Sequence, residues 1–128
     1  MTDEMVGPRV LLGTELGPAS RGAEQRAVEL AAEPGRELWV VGIVPADVEP
    51  DHRHQDRLEE LLQRIRRRGA EAEGIIVSGD PAVELLREAN GRGADVVVIG
   101  RSQWEGRSTT SVCGHLVNHA RCPVLVTA

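Results

Sequence analysis

Five short apolar runs punctuate the chain: Val10–Gly13, Leu38–Val44, Gly74–Val77, Asp95–Gly100 and Pro123–Thr127. Most are continuously apolar rather than alternating, which is how strands covered on both faces read in a parallel sheet. Gly74–Val77 is short and flanked by charge and glycine, so it is expected at an edge. Helical patterns fill the intervals. Leu58, Leu61, Leu62 and Ile65 follow the i, i+3, i+4, i+7 rule. That helix is expected to run into the Arg66–Arg68 triplet and stop at Gly69, with its basic end against the negative pole of the helix dipole. Arg64–Arg68 reads as a solvated helix end rather than a nucleic-acid patch.

Asp80-Pro81 signals a helix start, Asp as N-cap and Pro in the first turn. Ala82, Leu85, Leu86 and Ala89 make its apolar face, and Asn90-Gly91 end it. The first helix is expected to begin near Ser20, to turn Ala23, Ala27, Val28, Leu30 and Ala31 inward, and to end before Pro34-Gly35. The last is expected to begin near Thr110-Ser111, to bury Val112, Leu116, Val117 and Ala120, and to end before Pro123. Strand and helix thus alternate from end to end. This predicts one α/β domain over residues 1–128, a doubly wound five-stranded parallel sheet of Rossmann-like type with helices on both faces and right-handed crossovers. Residues 45–56, rich in Pro, Asp and His, read as the one long connection, with His52 and His54 solvated in it.

Composition narrows the chemistry. The chain has no Phe and no Tyr, only Trp39 and Trp104, so the core must be aliphatic and a base-stacking surface is nearly excluded. A net charge of −5 argues against nucleic acid as a partner. All 15 basic residues are Arg, which removes Schiff-base, lysine-base and phosphate-loop-lysine chemistry together. No segment reads as a signal peptide or membrane span, so a cytoplasmic protein with two reduced, partly buried thiols, Cys113 and Cys122, is expected. Nine residues of mostly helical rise should hold those thiols about 10 Å apart or more, beyond disulfide reach.

In an open parallel sheet a ligand binds beyond the carboxyl ends of the strands, where strand order reverses. That directs attention to Gly13-Thr14-Glu15-Leu16-Gly17-Pro18 and to the loop from Gly100 to Thr109. The second loop runs into a hydroxyl-lined helix start, where free N–H groups and the positive dipole end favour an anion. Arg101 and Arg107 can add charge, and Ser108 to Ser111 can add donors. An equally weighted reading makes Thr109 or Thr110 the N-cap and the rest a polar loop. His115 and His119 share a helix face, but Leu116 stands where a zinc protease needs Glu, so no metal is expected. No nucleophile elbow or other catalytic constellation is present.

Four segments together carry a family resemblance: Val10–Glu15 through Pro18–Ser20, Gly79–Ala82, Gly93–Gly100 and Val117–Val126. Over nearly its whole length the chain resembles the universal stress protein family. The resemblance implies a sheet of order 3-2-1-4-5, a homodimer and adenine nucleotide binding. Family members that bind ATP carry an acidic residue after the first strand and a Gly-x2-Gly-x9-Gly-Ser/Thr loop after the fourth. Here Glu15 takes the acidic position and Gly100 the first glycine, followed by Ser102 and then Gln103 in place of the second glycine. Thr110 replaces the third glycine and Ser111 matches the Ser/Thr, with only six residues between Gln103 and Thr110. If position 103 needs φ > 0, a side chain there adds roughly 1–2 kcal/mol of strain.

The implied function is a non-enzymatic stress-response or regulatory dimer with a weakened or lost nucleotide site. The alternatives are an ATP or adenylate switch with a rearranged loop and, last, a slow ATPase. No resident cofactor is expected, with ATP and magnesium as the alternative. Residual affinity should come from Glu15 and the backbone near Ile43 facing the adenosine, and from the helix start at Ser111-Val112. The dimer is expected to form through the last strand, along Val124, Leu125 and Val126. Any other protein partner is left open, with neither nucleic acid nor membrane among the partners.

Overall fold

A computed structural model of the protein describes residues 9–32, 36–101, 103–104 and 111–127. Its strands are β1 (Arg9–Thr14), β2 (Glu37–Val44), β3 (Ala72–Ser78), β4 (Val96–Gly100) and β5 (Val124–Thr127). Its helices are α1 (Arg21–Ala31), α2 (His52–Arg67), α3 (Pro81–Gly91) and α4 (Val112–His119), with a short 3-10 turn, Pro18–Ser20, leading into α1. The strands form one all-parallel sheet in the order β3-β2-β1-β4-β5. This is the predicted topology, with the weak strand β3 at an edge.

Alternation along each strand divides the core. Val10, Leu12, Leu38 and Val40 face α1 and α2, where Ala23, Ala27, Leu58, Leu62 and Ile65 pack with them. Leu11, Val41, Ile43, Val97 and Ile99 belong to the opposite cluster, with Leu85 and Ala89 of α3 and Val112 and Leu116 of α4. Among the described residues the buried hydrophobic side chains are aliphatic apart from Trp104, as a chain without Phe or Tyr requires.

The helix ends follow their sequence signals. Asp80 accepts hydrogen bonds from the amides of Ala82 and Val83. Gly69, at φ +94, ends α2. Other details depart from expectation. His52 and His54 lie in the first turn of α2, not in a connection. Asp51 caps that turn, and His54 Nδ1 accepts from the Asp51 amide at 3.0 Å, completing a reciprocal capping box. The charge-rich stretch masked the helix start, because the apolar period begins only at Leu58.

Nor is Arg64–Arg68 simply solvated: Arg64 crosses to α1, and Arg66 donates twice to the Ala72 carbonyl at the head of β3. Val117, expected inside, is 61% exposed, since α4 is short and only Val112 and Leu116 reach the sheet. Ala120 is half-buried at the helix end.

Candidate functional site

Strand order reverses between β1 and β4, so the crevice predicted by topology opens at their carboxyl ends. Thr14, the last residue of β1, is fully buried, and its Oγ1 accepts from the Leu16 amide at 2.9 Å. This short turn holds Leu16 at φ +66, the only positive φ on a non-glycine residue among those described. Such a conformation is costly for a bulky side chain and needs a reason in the surroundings. The Leu16 side chain packs against the α1/α2 cluster, and Gly42 on β2 gives it space: a Cβ there would lie 3.1–3.2 Å from it. The missing side chain leaves Leu16 room to lie across the strand end.

From the other side the crevice receives Gln103. Its side chain is 2% exposed. Gln103 Oε1 accepts from the Glu15 amide at 3.0 Å, and Nε2 donates to the Gly13 carbonyl at 3.2 Å. An amide N–H can only donate and a carbonyl can only accept, so these partners fix which way the carboxamide points. Gly100 makes the approach feasible, because a Cβ there would stand 2.9 Å from Gln103 Nε2. The Gln103 amide also closes a turn onto the Gly100 carbonyl at 3.5 Å. The condition for backbone strain at position 103 is not met, since its φ is not positive. The strained residue is Leu16.

Trp104 follows Gln103 inward. It is 4% exposed and joins the cluster containing Leu85, Ile99, Val112 and Leu116, with no hydrogen-bond partner for its Nε1 among the described residues. Past the last β1–β2 pair, Thr14 with Gly42, β2 continues through Ile43. The backbone of Ile43 therefore borders the crevice while its side chain is buried. Ser111 caps α4 by accepting from the Gly114 amide at 3.1 Å, and Val112 is buried just behind it. The cap is thus Ser111, not Thr109 or Thr110.

Glu15, through its main-chain amide, Gly100 and Gln103 lie together at this end of the sheet. Arg101 is exposed, with its amide donating to the Thr127 carbonyl of β5 at 2.9 Å. Ser102, Thr110 and Arg107 lie outside the described residues. Two residues that shape the site were missed, Leu16 and Trp104. Each is the lone large apolar side chain in an otherwise polar loop, and that isolation is the signal that could have found them.

Other chemistry is sparse among the described residues. No cluster of three or more His, Cys, Asp or Glu is placed to hold a metal ion. His115 and His119 share a face of α4 with ring centroids 4.7 Å apart. Cys113 and Cys122 are free, and burial pushes both thiols upward in pKa; Asp95 adds to the rise at Cys122, while Arg101 partly opposes it at Cys113. Among the described residues no helix is long and apolar enough to cross a membrane.

The family model described as "Universal stress protein family" matches residues 8–128. No curated protein matches the chain. Among solved structures, a universal stress protein from Lactobacillus plantarum superposes with a TM-score of 0.79 at 17% identity, covering 96% of this chain and 99% of that one. A universal stress protein in complex with cAMP gives 0.76 at 26% identity, covering 94% and 97%. The universal stress protein from Archaeoglobus fulgidus in complex with dAMP gives 0.73 at 21%, covering 97% and 100%. With the order β3-β2-β1-β4-β5 and a family match across nearly all of its length, the chain belongs to the universal stress protein family.

Proposed function

We propose that this protein is a non-enzymatic regulatory module of the universal stress type, a homodimer that acts through protein contacts and holds adenine nucleotides weakly if at all. The observation that carries this reading is the buried Gln103 side chain at the switch point. Main-chain groups that a ligand would use, the Glu15 N–H and the Gly13 C=O, already have partners. A nucleotide must displace that pair while forgoing glycine at two of the three loop positions that bring backbone close to phosphate. Loss of two or three charge-assisted contacts, each roughly 1.5–3 kcal/mol, moves a micromolar site to millimolar. The groups that converge are a carboxamide and two main-chain groups, none of which serves as a general acid or base at neutral pH, which supports a binding role over catalysis.

Two structural relatives are complexes with cAMP and dAMP, so adenylates join ATP as the ligands to test. Calorimetric titration of the purified protein with cAMP, AMP and ATP with magnesium should show no saturable binding below millimolar concentration. Mass spectrometry of a denatured sample should find no nucleotide. A dissociation constant of a few micromolar or tighter, or a co-purified nucleotide, overturns the reading in favour of an adenylate switch.

A further inference from the structure

We infer that Gln103 is an internal pseudo-ligand: its carboxamide shuts the crevice between β1 and β4, and removing it converts the module to one that accepts an adenylate. The inference rests on the reading above, that this crevice is the nucleotide site, and adds which residue closes it and how.

A polar loop residue ordinarily turns to water. Gln103 instead buries a carboxamide, which is tolerable only when its polar atoms are paired. Both atoms are paired, and both partners lie on the β1 end: the carbonyl of Gly13 and the amide of Glu15. These two main-chain groups sit two residues apart, one acceptor and one donor, so they offer an edge that a carboxamide or the donor–acceptor edge of a nucleobase fills equally well. The side chain crosses from the β4 loop to the β1 loop, over 88 and 90 residues of sequence. It therefore links the two loops that a ligand at a switch point must bridge.

Two features hold it there. Gly100 lacks the Cβ that would clash with Nε2 at 2.9 Å. Trp104, buried in the adjoining core, anchors the next residue of the loop, so Gln103 is presented inward.

A ligand that needs the crevice binds only the fraction of molecules in which the carboxamide has left, and its apparent affinity falls by that fraction. Replacing two hydrogen bonds to buried partners sets that fraction at about one in ten or lower.

The test compares the parent protein with Gln103→Ala and Gln103→Gly, by calorimetric titration with AMP, cAMP and ATP with magnesium. The expected result is binding at least tenfold tighter in either variant than in the parent. Equal, weak binding in all three proteins overturns the pseudo-ligand while leaving the weak site standing. Micromolar binding by the parent itself overturns both. Should both variants fail to fold, hydrogen exchange in the parent decides. A Glu15 amide protected well beyond an exposed loop amide sustains the closed crevice, and a Glu15 amide exchanging at the exposed-loop rate overturns it.

Discussion

Glu24, on the inner side of α1, is 3% exposed and carries a carboxylate into the seam with α2. Arg64 reaches it with two parallel bonds, Nε at 2.7 Å and Nη2 at 3.1 Å, and stays about one-third exposed itself. Arg21 approaches only to 3.9 Å from an exposed position. The two ends of this pair are therefore unequal. Arg64→Ala strands a buried charge and is expected to cost about 3 kcal/mol, whereas Glu24→Gln leaves an arginine that can turn to water and should cost about 1 kcal/mol. Urea unfolding of both variants measures the difference; equal losses would mean that the seam relaxes enough to hydrate Glu24. The thiols give a second residue-scale expectation. Burial disfavours the thiolate, so at pH 8 Cys113 and Cys122 carry less of it than a free cysteine, whose pKa is about 8.5. Reaction with a disulfide reagent at pH 8 should be several-fold slower in the folded than in the unfolded protein, and should rise only above the ordinary thiol range. Two free thiols per chain are expected in denaturant without reductant. A count of none would demand a bridge.

At the scale of elements, α3 offers a clean comparison because both of its ends are written in the sequence. Asp80 holds two amides at the start, and Asp80→Ala should destabilise the protein by about 1 kcal/mol. Gly91, the last helical residue, has nothing within 4 Å of where a Cβ would stand and no positive φ, so Gly91→Ala should stabilise by roughly 0.5–1 kcal/mol. Thermal unfolding should move in opposite directions for the two, and a loss for Gly91→Ala would place an unseen constraint at that turn. The same helix shows why the fold was legible. Its cap, its Pro81 and its apolar face at Ala82, Leu85 and Ala89 all announce one structure, as do the unbroken apolar runs of β1, β2 and β4. Legibility failed where tertiary contact overrides local chemistry. A glutamine in a polar loop gives no sign that both of its side-chain polar atoms will pair with the end of β1, 88 and 90 residues away. The family pattern marked position 103 as altered, but only the fold shows its side chain turned into the gap. Val117 failed for a different reason: it follows Leu116 by one residue, about 100° round the helix, and so falls outside the face that Val112 and Leu116 bury.

For the whole molecule, the two sheet edges differ in how they meet water. β3 presents Glu73 and Gly74 within the strand and Glu71 just before it, and charge of this kind keeps an edge from pairing. β5 is Val-Leu-Val-Thr, uncharged, and all four of its residues are half-buried where those of β4 are almost wholly covered. An apolar edge left so is a template for another strand, and a two-fold axis beside it gives antiparallel pairing of β5 with its own copy. Four residues alone cannot bury the roughly 1,200–2,000 Å² of a stable interface. The groove of about 520 Å³ between β5 and α1, lined by Gly22, Gln25, Arg26 and Glu29, adjoins the strand and is expected to join it. Arg26 and Glu29 already pair at 2.9 Å on this rim, so their charges can be exchanged between copies without an unpaired remainder. Light scattering at tens of micromolar should therefore give twice the chain mass. Val126→Lys should shift the protein towards monomer with its far-ultraviolet circular dichroism retained, while Glu73→Lys on the opposite edge should leave the mass unchanged. A parent protein that scatters as a monomer removes the dimer. A dimer indifferent to Val126→Lys but broken by Glu73→Lys would transfer the interface to β3.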